Sequence, residues 1–219
     1  MNLNLETGLK NKYPGLSARM VKIHDVTILL QNNLLEAFKP EIYAIAQKQW
    51  DLDRLKENPT FRAYRDFFWK VGIDPTKIRP ASEALIRRIL RGNSLPQINT
   101  FVDAYNLASI ATAIPFGAFD LDKMHGTLTM REALKNEKFL GIGMENSINL
   151  SGGEVVIQDE ERLIAIYPYR DADYSKVSSS TRNVLLMVCG VPGIPNETLL
   201  KAESIGIEYV TKFNEGEIY

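Results

Sequence analysis

The sequence predicts an α+β fold, and three observations lead there. Helix-spaced apolar stripes fill most of the chain before Ile114. Short alternating or wholly apolar runs, suited to strands, dominate after Asp120. Glycine and proline break up that second half at short intervals. At 219 residues the chain suits one large domain or two small ones, and it can bury a substantial core.

The elements follow in order. Between Leu16 and Leu30, Val21, Ile23, Val26 and Ile28 form short β-branched runs, which predict strands or a strand and a turn. Leu34 to Trp50 reads as a helix broken or entered at Pro40. Asn58-Pro59 opens another helix, with Phe61, Tyr64 and Phe68 along one face. Pro80 begins the next, striped by Ala81, Leu85 and Ile89, and Gly92 is its C-cap. In the stretch Asn99 to Asp120, Leu107, Ile110, Ala111 and Ile114 predict a buried helical face. Pro115 is expected to stop that helix, and Gly117 to let the backbone turn. Thr127 to Arg131 alternates as a strand does. Glu154 to Gln158 and Leu163 to Tyr169 predict two strands around the charged turn 159–162. Val184 to Val188 is a buried strand or helix core, and Thr198 to Ile205 a short terminal helix.

Composition narrows the function classes. The formal net charge of −1 and 45% hydrophobic content describe an ordinary globular chain, which argues against a strongly basic, sequence-blind nucleic-acid binder. A single cysteine, Cys189, gives no disulfide framework and no thiolate metal cluster. With two histidines, His24 and His125, in no ligand spacing, no metal and no cofactor is expected. The start has no long apolar run and no stretch is long enough to span a bilayer, so the expected location is cytoplasmic, without a membrane partner. Asp171-Ala172-Asp173 begins like a calcium loop but lacks its glycine and closing glutamate. No G-x-S-x-G elbow is present.

The 99–120 stretch carries the functional signal. Val102, Asp103 and Asn106, then Pro115, Ala118, Phe119 and Asp120, resemble at the right spacing the B3/B4 module of the phenylalanyl-tRNA synthetase β subunit. Gly117 stands where that family has a histidine. Three further matches follow in order: Met130-Arg131-Glu132-Ala133 with Glu137 and Phe139, the Glu154 to Asp159 strand, and Ser175-Lys176-Val177 with Thr181 and Val184 to Leu186. The resemblance implies a B3/B4-like mixed sheet core in a single domain, 1–219. Its matched pattern spans 79–190, preceded by a lead-in, 1–78, and followed by a C-terminal tail, 191–219. The residues before Arg79 do not match the synthetase subunit's own flanks, and no catalytic synthetase module fits, so a freestanding version of the module is expected.

In the synthetase this module hydrolyses the ester of tRNA charged wrongly with tyrosine. Carried over by position, the resemblance implies an editing-type hydrolase whose partner is the aminoacylated 3′ end of tRNA, with translation factors as further partners. Such an ester is reactive enough that positioning supplies much of the rate, so no nucleophile motif is required. The catalytic positions are Asn106, Gly117 and Thr181. Asn106 reads equally as a pocket residue or as a helix cap, and Gly117 as an enlarged site or a plain turn. Lys176 falls where the family has the glutamate that recognises the tyrosine hydroxyl. An ammonium cannot accept that proton, so a different amino acid is expected; a merely solvated lysine is the other reading. Tyr167, Arg170 and Asp171, in a run that replaces the family's glycines, complete the substrate-binding set, with Arg170 either gripping a phosphate or pairing with Asp171 or Asp173. Arg79, Arg87, Arg88 and Arg91 form the expected tRNA-backbone patch, or else a solvated helix face. The non-catalytic alternative is an RNA- or amino-acid-binding module of the same fold.

Overall fold

Caps and turns set the ends of most helices. In the computed structural model, which describes residues 3–219, β1 (Leu3–Leu5) and α1 (Thr7–Lys12) lead into β2 (Ser17–His24). Helix α2 (Asn33–Gln49) starts at Asn32, whose side chain accepts from the amides of Leu34 and Leu35. Pro40 lies inside α2 and does not break it, because Leu35, Ile42 and Ala46 anchor one buried face on both sides of it. Helix α3 (Pro59–Lys70) is capped by Asn58. Helix α4 (Ala81–Leu90) begins after Pro80 and is closed by Gly92 at φ +78°.

Helix α5 (Thr100–Thr112) is capped by Asn99, which accepts from the amides of Phe101 and Val102. It ends before Pro115 is reached. Ala113 turns left-handed at φ +61°, and the Ser109 hydroxyl donates to the Ile114 carbonyl at 2.7 Å. Ile114 therefore lies beyond the helix, and Ala111 is only half-buried.

The remaining elements are β3 (Phe116–Asp120), β4 (Leu128–Glu132), β5 (Lys138–Phe139), β6 (Ile148–Asn149), β7 (Val155–Gln158), β8 (Leu163–Ile166), β9 (Arg170–Asp171), β10 (Val184–Gly190), α6 (Asn196–Asn214) and β11 (Glu217–Ile218). A five-stranded sheet runs β1-β4-β7-β8-β9, with β1 parallel to β4 and the other pairs antiparallel. A four-stranded antiparallel sheet runs β11-β2-β10-β3, and β5 pairs with β6. The fold is thus mixed α and β around two sheets.

Register decides what each face of the second sheet meets. Leu186, Ala118 and Val21 share one face; Met187, Gly117 and Met20 share the other. Helix α6 covers the first. Gly206 sits so near Phe116 that a Cβ there would lie 2.5 Å from its ring. In the 191–219 segment, Leu199, Ala202, Val210 and Phe213 bury a stripe of a 19-residue helix, longer than the expected 198–205. Gly117 is likewise no turn; it lies in mid-strand, opposite Met187.

Several motif residues hold this frame together. Asp103, 2% exposed, binds the Lys39 ammonium at 2.8 Å and the Ile98 amide. Burial opposes the charge on Lys39, but hydrogen bonds to Asp103 and Glu36 outweigh it and raise its pKa. Arg131 pairs with Glu137 and lowers its pKa. Buried Glu83 receives both Arg65 and Arg87. Among the described residues no helix is long and apolar enough to cross a membrane.

Candidate functional site

Between the inner face of the four-stranded sheet and the β8–β9 turn lies a cavity of about 170 Å³. Tyr105 and Asn106 of α5 form one wall, and Phe116 and Gly117 of β3 with Met187 and Cys189 of β10 form another. Ala165 to Asp171 close it, and Ala81, the first residue of α4, stands at its edge. Asn106 sits in the middle of α5, so it is no helix cap; Asn99 has that role. The carboxamide offers both a donor and an acceptor to whatever enters.

The chemistry of the walls is uneven. The Tyr167 hydroxyl lies 2.7 and 2.9 Å from the Ser17 and Gly190 carbonyl oxygens, which ties the turn to the sheet. Burial pushes the Tyr105 and Tyr167 phenols and the Cys189 thiol well up, so all three stay protonated near neutral pH. Asp171 differs. Burial raises its carboxyl from 3.8 to about 7, and no hydrogen bond or cation among the described residues offsets this. Its oxygens lie 3.2 and 3.4 Å from where a Cβ on Gly117 would stand, so glycine leaves room for them. Arg170 does not pair with Asp171 or Asp173; its guanidinium donates to the Ile142 carbonyl and the Tyr169 hydroxyl. Among the described residues, no group of three or more His, Cys, Asp or Glu side chains is gathered as a metal-ligand set.

A second depression of about 610 Å³ adjoins the first. Lys77, Arg79, Arg87, Arg88 and Arg91 line it with Asn93 and Pro96. Ala81 and Asn106 line both spaces. Helix α4 starts at this junction with no side-chain cap and with buried Glu83 in its first turn, so the positive charge beside the cavity comes from the lysine and arginine side chains. Arg79 and Arg91 are exposed, and Arg88 donates to the Ser94 carbonyl at 2.5 Å. Arg87 is committed to Glu83.

The structure therefore brings together Asn106, Gly117, Tyr167, Arg170 and Asp171, and places the arginine group beside them. Two expected residues stand elsewhere. Thr181 is buried in a turn, where its hydroxyl donates to Asp120 at 2.7 Å and accepts from the Ser178 amide. It belongs to the far end of β3 and does not bound the cavity. Lys176 is exposed, with its ammonium 2.7 Å from Asp173, outside the cavity. Tyr105, Met187 and Ala81 went unforeseen as wall residues. Only the β3–β10 register and the α4–α5 packing bring them there, and neither leaves a mark in the sequence.

Comparison with known proteins bears on this site. The B3/4 domain model matches residues 63–204, wider on both sides than the 79–190 pattern. The phenylalanine–tRNA ligase β subunit of Fusobacterium nucleatum is 34% identical over 116 residues, 53% of this chain and 14% of that protein. The β subunit of Photorhabdus laumondii is 30% identical over 109 residues, 50% of this chain and 14% of that protein. The chain thus spans a small part of the length of these relatives. A crystal structure of an N-terminal fragment of the phenylalanyl-tRNA synthetase β-subunit from Pyrococcus horikoshii superimposes with a TM-score of 0.52. It is 12% identical and covers 99% of this chain and 50% of that one, a likeness of fold that takes in the residues before Arg79.

Proposed function

Since this chain belongs to the B3/4 domain family, we propose that it is an editing-type hydrolase that deacylates a wrongly charged tRNA. The observation that carries this reading is the shared wall: Ala81 and Asn106 border both the basic depression and the cavity. A polyanion laid along Lys77, Arg79, Arg88 and Arg91 delivers its end to Asn106. The aminoacyl group then enters between Gly117 and the 167–171 turn. Sugar phosphates need positive charge, and an ester needs a site that holds its carbonyl and a water with little water around them. Adjacent spaces of those two kinds suit an aminoacylated RNA end better than either substrate part alone.

Lys176 and Thr181 have no place in this mechanism. Selectivity falls instead to the groups that touch the cavity, chiefly Tyr105, Met187 and the Tyr167–Asp171 run.

The test is a panel of correctly and wrongly charged tRNAs followed for loss of the ester. Turnover of at least one member is expected. Asn106→Ala should slow it by about 10²-fold, the usual effect of losing one positioned hydrogen-bonding group, while exposed Lys201→Ala should not. Binding without deacylation across the whole panel would convert the reading to a non-catalytic RNA-binding module.

A further inference from the structure

We propose that the Asp171 carboxylate is the general base of this cavity, taking the proton from the water that attacks the ester. The inference rests on the hydrolase reading above and adds to it a group that does chemistry as well as positioning.

The geometry supports it first. Asp171 faces the cavity from β9, across from Gly117, and Asn106 borders the same space. No neighbour among the described residues satisfies the carboxylate, so its lone pairs remain for a molecule inside the cavity. A partnered carboxylate would be spent on structure, as Asp103 is on Lys39 and Asp120 on Thr181.

Elimination supports it second. The titratable and charged groups that line the cavity with Asp171 are Tyr105 from α5, Cys189 from β10, and Tyr167, Tyr169 and Arg170 from the turn and its own strand. The desolvated phenols of Tyr105 and Tyr167 and the Cys189 thiol hold their protons at neutral pH. Arg170 has no acceptor lone pair and Asn106 does not titrate. The Tyr169 hydroxyl is taken up by Arg170, and Asp171 is left as the carboxylate of the wall, brought by burial to about 7. Base catalysis is most effective when the base titrates close to the working pH.

The step balances without a co-reactant. Water oxygen bonds to the ester carbonyl carbon while one of its protons passes to Asp171. The tetrahedral intermediate collapses, the bond from carbon to ribose oxygen breaks, and Asp171 returns the proton to that oxygen. The products are a free amino acid and an uncharged tRNA end, and the carboxylate is regenerated.

The experiment uses the full chain, the charged-tRNA panel and two variants, Asp171→Asn and Asp171→Glu. The Asn variant keeps the shape and removes a desolvated charge, so it should fold. Wild-type kcat should climb with pH through about 7. Asp171→Asn should lose that limb and about 10²- to 10³-fold in kcat, with little change in KM. Asp171→Glu should restore part of the rate. A variant that keeps both the rate and the limb overturns the inference and leaves the hydrolase reading standing. So does a rise in KM alone that disappears when the substrate's α-amine is acetylated, which would make Asp171 an anchor for the ammonium. If the wild type hydrolyses no member of the panel, both fall together.

Discussion

Asp171 costs the fold stability wherever it is ionised. Its carboxyl is raised from 3.8 to about 7 by desolvation, so between those values the native state holds a proton that the unfolded chain has released. Stability must then fall as pH rises through that window and level off above it. Full desolvation would cost about 1.4 kcal/mol for each pH unit of the raise, and water entering a half-open cavity screens much of this. Asp171→Asn is therefore expected to gain about 1–2 kcal/mol at pH 8 and nothing near pH 3. Denaturant melts of both proteins at the two pH values measure it; equal stability at pH 8 would mean that the carboxylate is solvated. Single residues also show what the sequence could reveal. Asn106 was legible because a spaced motif marks it, and Gly117 and the Tyr167–Asp171 run because they depart from that motif at positions its spacing fixes. Thr181 and Lys176 belong to the same pattern and yet lie outside the cavity. A motif records that residues keep company in a family, while a hydrogen bond to Asp120 or Asp173 decides where each one points.

Among the elements, α5 is held by polar contacts to two other helices. Its first turn is capped by Asn99, and the Thr100 hydroxyl donates to the Asn214 side chain of α6. The buried Lys39–Asp103 pair fixes it to α2. Removing one member strands the other charge, so Lys39→Met should destabilise the protein by about 3–5 kcal/mol, measured by urea unfolding at pH 7. A loss under 1 kcal/mol would show that Asp103 reaches water or another cation. Some helix ends were readable, since Asn58 with Pro59 and Gly92 mark theirs, whereas the caps Asn32 and Asn99 went unnoticed and Asn106 was weighed as a cap in place of Asn99. Two further ends were not readable. Pro115 was the obvious stop for α5, but a left-handed alanine came first. The length of α6 was hidden because Gly206, a weak helix former, interrupts its stripe and is retained for its contact with Phe116. The strands were recognisable singly. Their partners were not, because pairing β10 with both β2 and β3 depends on contacts more than 60 residues apart along the sequence.

For the whole molecule, a net charge of −1 conceals a local surface of the opposite sign beside the cavity. If RNA lies on it, affinity must weaken with salt in proportion to the phosphates neutralised. Replacing Arg79 and Arg91 together by alanine should lower the slope of log affinity against log salt by roughly 1.4, at about 0.7 per phosphate on a single strand. Anisotropy titrations of a tRNA across a salt series would read this, and an unchanged slope would remove the depression from the binding surface. Arg87 is a poor probe, since it neutralises buried Glu83 and its loss would be felt by the fold. The left-handed step at Ala113 has a wider consequence. Three residues join the helix that carries Asn106 to the strand that carries Gly117, so these two walls form a covalent clamp whose jaws cannot drift apart. Opening the backbone at that junction, with the original ends of the chain linked elsewhere, would leave every helix and strand intact and free the jaws from each other. Folding and pocket shape could then be varied independently of one another.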